Sequence, residues 1–166
     1  MRALPGGPRW IDRGRWHLTL TFLGELAEDR SDRLDRLTTE LGAVPSDYRA
    51  IHLRLSTVGT FPSRGAPQVL WVGVAGEPGD VDRLGALARA TGRAARRAGV
   101  RVDRRPYHPH LTLGRWRAGD VVDRRTVAAL ADYRGPPFRV TEVVLMRSHL
   151  GPRPRYERLT GWPLPG

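Results

Sequence analysis

The chain is predicted to be an α+β protein: a bilobal, duplicated fold with two antiparallel sheets around a central cleft and helices on their outer faces. Three observations predict it. The tetrapeptide His-Leu-Thr-Leu occurs twice, within "WHLTLTFLGE" from Trp16 and within "PHLTLGRWRA" from Pro109. Each copy opens the same order of elements, a strand with the motif, a helix, a long strand, a Gly/Pro loop and a shorter strand, over 17–74 and again over 110–162. The two loops share their character, "GTFPSRGAPQ" against "SHLGPRPRY". A repeat of this kind folds as two units that bury their apolar faces together, and a pseudo-twofold axis brings equivalent strands to the centre.

Residues 16–23 alternate, with His17, Thr19 and Thr21 on one side and Leu18, Leu20 and Phe22 on the other, until Gly24 stops them; this predicts a strand. "EDRSDRLDRLTTELGAV" sets Leu34, Leu37 and Leu41 at helical spacing before Gly42 and Pro45. "AIHLRLSTVGTF" predicts a strand with Ile51, Leu53 and Leu55 inward, and "QVLWVGV" a short apolar strand. "DVDRLGALARATGRAARRAG" predicts a helix with an acidic start and an end at Gly99. "HLTLGRW" alternates again. "DVVDRRTVAALADY", 120–133, predicts a helix, "FRVTEVVLMRS", 138–148, one strand, and "RYERLTGW" the last. Only sixteen residues precede the first motif, too few for the strand and helix that precede the second; "RALPG" reads as the end of a helix whose beginning is missing.

At 166 residues the chain is expected to form a single domain over 1–166. It has no cysteine, which excludes disulfides and thiolate metal sites and points to a cytoplasmic home. No apolar run approaches the roughly 20 residues needed to span a bilayer. The formal charge of +11 suggests a polyanionic partner. That inference is discounted because all 28 basic residues are arginine, asparagine is absent and isoleucine occurs only at 11 and 51, the usage of a GC-rich genome. Placement is more telling: Arg93, Arg96, Arg97, Arg101, Arg104 and Arg105 lie just before the second motif, as a phosphate-facing cluster or as a solvated helix face and loop.

On a strand, residues i and i+2 share a face, so His17 with Thr19 and His110 with Thr112 each present an imidazole and a hydroxyl to one surface. Two such pairs brought together cradle a tetrahedral anion, with threonine hydroxyls on non-bridging oxygens and imidazoles on either side of phosphorus. One imidazole takes a proton from an attacking water and the other gives one to a departing ribose oxygen. Such a device needs no cofactor and no metal, and a strained ribose 2′,3′-cyclic phosphate is its easiest substrate. A single strand histidine is more often a packing or surface residue. Retention of both His and Thr on the cleft side of a repeat has no packing reason.

With "RWHLTLTFLGE", "GTFPSRGAPQVLWVGV", "RPYHPHLTLGRWR" and "VVLMRSHLGPRPRYERL", the chain resembles the two-histidine phosphoesterase superfamily and, within it, the bacterial RNA 2′,3′-cyclic phosphodiesterases formerly called 2′-5′ RNA ligases. The resemblance implies a bilobal fold and hydrolysis of the cyclic phosphate to a 2′-phosphomonoester. It implies His17 and His110 as the acid and base pair, Thr19 and Thr112 as phosphate ligands, and Arg115 as a basic residue after the second motif. Strand alternation puts Arg115 opposite His110 in parity unless Gly114 permits a bulge. His110 is favoured as base and His17 as acid. Members usually begin with a strand and a helix that this chain lacks, which would expose an edge and favour association of an otherwise monomeric protein.

The partners expected are RNA ends or small cyclic nucleotides, with no membrane. Phe61 and Tyr156 are candidates to stack on a base or to serve as core. Arg105, with Arg104, is placed to meet RNA phosphates or to remain solvated. His108 and His110 form a His-x-His that would chelate a metal only with a third ligand such as His17 or His149, and no carboxylate cluster accompanies them. His52 and His149 read as surface residues, and Trp10, Trp16, Trp71, Trp116 and Trp162 as packing. The competing functions are 2′-5′ joining of RNA, written as the reverse reaction, and a catalytically silent RNA- or nucleotide-binding module.

Overall fold

A computed structural model describes residues 6–26, 31–103, 105–120, 122, 124–151 and 154–166. Five antiparallel strands form one sheet: β1 (Arg9–Trp10), β2 (Ile51–Phe61), β3 (Val69–Gly76), β4 (His110–Arg115) and β5 (Arg134–Val140), in the order β1-β4-β3-β2-β5. A second sheet is the hairpin of β6 (Glu142–His149) and β7 (Arg155–Pro163). Helices α1 (Ser31–Gly42) and α2 (Asp80–Arg97) pack on each other, α2 also packs on β2 and β3, and α3 (Arg124–Ala128) is a single short turn of helix. Among the described residues no helix is long and apolar enough to cross a membrane.

The core joins these layers. Leu37 and Leu41 of α1, Ile51 and Leu53 of β2, Leu84 and Leu87 of α2, and Val143 and Leu145 of β6 form one buried cluster. The helices therefore seal both sheets on the side away from the motif residues. Helix α2 stops where its sequence says, with Gly99 at φ 80° just beyond the last turn.

Several expectations need correction, among them the alternation past Leu20: Phe22, expected with the leucines, is 73% exposed, and Thr21, expected beside His17 and Thr19, turns to Thr91 of α2. Residues 16–23 form no ladder: a single antiparallel bridge, Leu18 to Leu111, ties them to β4. Their neighbours on that edge of β4 are Arg9 and Trp10, an unexpected short strand that pairs with Arg115 and Gly114. The helix expected over 120–133 shrinks to Arg124–Ala128, because the chain is drawn into β5 from Arg134. The strand expected over 138–148 divides near Thr141, β5 joining the outer edge of β2 and β6 the second sheet. Pro136 and Pro137 are tolerated in β5 because it is an edge strand, where a missing N–H costs least. "RALPG" falls mostly outside the described residues.

Without a ladder, the first motif is held by packing and one polar anchor. Leu18, Leu20, Leu23 and Leu26 pack against the core. Beyond them the Thr21 hydroxyl meets the hydroxyl of buried Thr91 on α2 at 2.8 Å, and Thr91 donates to the Ala88 carbonyl at 2.9 Å. Replacing Thr91 by valine keeps the shape and leaves the Thr21 hydroxyl only its longer bond to the Ala88 carbonyl at 3.3 Å, so Thr91→Val is expected to lower unfolding free energy by about 1 kcal/mol. Urea denaturation measures it.

Candidate active site

The bridge sets the geometry of the two motifs. With Leu18 opposite Leu111, the antiparallel register places His17 across from Thr112 and Thr19 across from His110. All four lie on the face opposite the leucines. Leu111 is buried and Leu18 packs on the core, so the imidazoles and hydroxyls are left on the outer surface. Each histidine thus faces the threonine of the other copy.

Both imidazoles are oriented in the same way. His17 Nδ1 lies 2.9 Å from the carbonyl oxygen of Arg15, and His110 Nδ1 lies 2.7 Å from that of His108. A carbonyl only accepts, so Nδ1 donates in each ring and Nε2 is the nitrogen left for chemistry. Burial holds His110 below the ordinary imidazole value of 6.5; the bond to the His108 carbonyl opposes this, while the charges of His108, His17 and Arg115 add to it. His110 therefore favours the neutral, proton-accepting form.

Arg115 reaches the motif face through a bulge. Leu70 pairs with Gly114 but Trp71 pairs with Thr112, leaving Leu113 as an extra residue in β4. The extra residue reverses parity, so Arg115 joins the side of His110 and Thr112 while Trp116 turns inward to be buried. Gly114 lets β1 close against the bulge: a Cβ there would stand 2.8 Å from Pro8 Cβ.

Phe61 and Tyr156 each flank one imidazole, and neither belongs to the core cluster. The Phe61 ring is edge-on to His110 at 5.1 Å between centroids, and Tyr156 is edge-on to His17 at 4.8 Å. Arg105 has a different setting: its guanidinium pairs with Asp103 of its own loop at 2.6 Å, and none of the described contacts ties it to a motif histidine. Arg104 lies outside the described residues. His149 bonds Glu157 at 2.6 Å, and His52 is exposed on β2. Among the described residues, no group of three or more His, Cys, Asp or Glu is placed to hold a metal ion.

Three side chains lie at the site beyond those the sequence assigns to it: Trp71 and His108, which the sequence gives other roles, and Arg15, which it does not single out. Trp71, read as packing, pairs in register with Thr112, and its indole lies over Gly59, where a Cβ would stand 2.3 Å from the ring. His108 packs against Trp71 at 4.6 Å and Phe61 at 5.3 Å. Arg15 lies over Tyr156, its guanidinium carbon 5.8 Å from the ring centroid. The signal for Arg15 and His108 was their common place two residues before a motif histidine.

Fold and site define a two-histidine protein in which a duplicated His-x-Thr lines one face. The family model described as the 2′-5′ RNA ligase superfamily matches residues 3–152, and the chain belongs to that superfamily. The RNA 2′,3′-cyclic phosphodiesterase of Geobacillus stearothermophilus is 31% identical over 157 residues, 95% of this chain but 48% of that protein, so the chain spans about half of its length. The protein of the same name from Bacillus subtilis is 29% identical over 159 residues, 91% of this chain and 78% of the other. The crystal structure of E. coli LigT complexed with 3′-AMP aligns with a TM-score of 0.74 and 28% identity over 98% of this chain and 84% of that one.

Proposed function

We propose that the chain hydrolyses the 2′,3′-cyclic phosphate of RNA ends or nucleotides to a 2′-phosphomonoester, with the two motif histidines as base and acid and no metal. The observation that carries this reading is the pair of imidazoles with Nδ1 fixed on a carbonyl and Nε2 turned to a shared face that also holds two hydroxyls and Arg115. Relatives named RNA 2′,3′-cyclic phosphodiesterase support it.

In the proposed reaction a water oxygen attacks phosphorus in line with the P–O3′ bond. His110 Nε2 takes the proton from that water as the new P–O bond forms. The P–O3′ bond breaks, and His17 gives its Nε2 proton to the departing oxygen, leaving a 3′-hydroxyl and a 2′-phosphate. Exchange with solvent then restores both rings. Thr19, Thr112 and Arg115 stabilise the charge that gathers on the non-bridging oxygens. A 5′-hydroxyl of a second RNA in place of water would give 2′-5′ joining at the same site.

The test is hydrolysis of adenosine 2′,3′-cyclic phosphate in excess EDTA, with the product resolved by ³¹P NMR. Turnover to the 2′-phosphate at the same rate with and without chelator is expected; a folded protein with no turnover would sink the reading. The pH profile is an independent check. The base must be neutral, and His110 is held below 6.5, so the acidic limb of kcat/KM should lie below pH 6.5, activity falling as pH drops through it. A limb above that value would contradict His110 as base.

A further inference from the structure

Arg15 stands to His17 as His108 stands to His110: two residues upstream, with its carbonyl holding the imidazole. The side chain differs, an imidazole on the His110 side and a guanidinium over Tyr156 on the His17 side. The Arg15 Nε atom is closed off from solvent and has no hydrogen-bond partner among the described residues. Arg83, Arg97, Arg105 and Arg158, in contrast, are each paired with a carboxylate. With Nε shut away from solvent in this half-buried residue, an anion is met by the terminal guanidinium nitrogens, and a cation held beside a motif imidazole by an aromatic ring is placed to receive one.

We propose that Arg15 binds a second phosphate of the substrate, the internucleotide phosphodiester on the 5′ side of the ribose that carries the cyclic phosphate. The inference rests on the proposed phosphodiesterase reading. If His17 protonates O3′, the ribose sits on the His17 side, and its 5′ continuation leaves along the wall formed by Tyr156 and Arg15. The cyclic phosphate is already served by the threonines and Arg115, so Arg15 is left for the next anion. The preferred substrate is then an RNA end rather than a nucleoside cyclic phosphate.

The test compares three substrates: adenosine 2′,3′-cyclic phosphate, the diadenosine dinucleotide ending in a 2′,3′-cyclic phosphate, and that dinucleotide with an uncharged methylphosphonate link. Wild type, Arg15→Met and Arg15→Lys are assayed, methionine preserving an apolar contact with Tyr156. Wild type should prefer the charged dinucleotide to its methylphosphonate form by about tenfold to a hundredfold in kcat/KM, the size of a charge-assisted hydrogen bond. Arg15→Met should erase that preference, and Arg15→Lys should keep part of it. Equal loss on all three substrates, or a preference that survives Arg15→Met, overturns the proposal. If wild type hydrolyses none of them, the phosphodiesterase reading is what has failed; Kd values for the dinucleotide 2′-phosphate and its methylphosphonate form, in wild type and Arg15→Met, then decide for or against Arg15 separately.

Discussion

Alanine at His110 is expected to lower kcat for cyclic phosphate hydrolysis by about 10³-fold, and alanine at His17 by a similar factor. Both substitutions remove a group that exchanges a proton only as phosphorus is attacked, so the loss belongs in kcat rather than in substrate affinity. The double variant should fall well short of the product of the two losses, because base and acid serve one concerted displacement. Folding should survive both changes. His17 is exposed and His110 is half-buried, and neither belongs to the core cluster. Steady-state kinetics with circular dichroism on each variant checks this, and a kcat loss below about tenfold for either would remove that histidine from the chemistry.

Valine at Thr19 or Thr112 is expected to cost about 10²-fold in kcat, the scale of one donor lost from an oxyanion site. Valine matches threonine in shape and suits extended backbone, so the hydroxyl is the main change. Each threonine stands across from the other copy's histidine, so each variant leaves the base and the acid in place while one side of the cradle loses its donor. The pH profile should keep its limbs while its height falls. A limb that moves would mean that the threonine acts on a histidine rather than on the phosphate.

The repeated motif, its resemblance to a known superfamily and the direction of its side chains were legible before any coordinates, because strand alternation is local and leucine marks the inner face. What was not legible depends on pairing between distant segments. The first motif looks as regular as the second, yet only Leu18 finds a bridge; its neighbours are held by leucine packing and Thr21 instead. The side on which Arg115 lies turns on one extra residue, Leu113, and a bulge is a property of two strands rather than one. The break at Thr141 was hidden within an unbroken β-forming run, since alternation does not say that one stretch serves two sheets. Trp71 reads as packing in the sequence because a continuous apolar strand does not declare which face meets the site.

The division of labour between the imidazoles is the central claim, and a leaving group that needs no proton tests it most directly. The measurement is kcat/KM of wild type, His17→Ala and His110→Ala on the native cyclic phosphate and on its analogue with sulfur bridging phosphorus to C3′. Sulfur departs as a thiolate without help from an acid. If His17 is the acid, the His17→Ala defect shrinks by at least about tenfold on the sulfur substrate while the His110→Ala defect stays full. Rescue of His110→Ala instead, or of neither variant, would contradict the assignment.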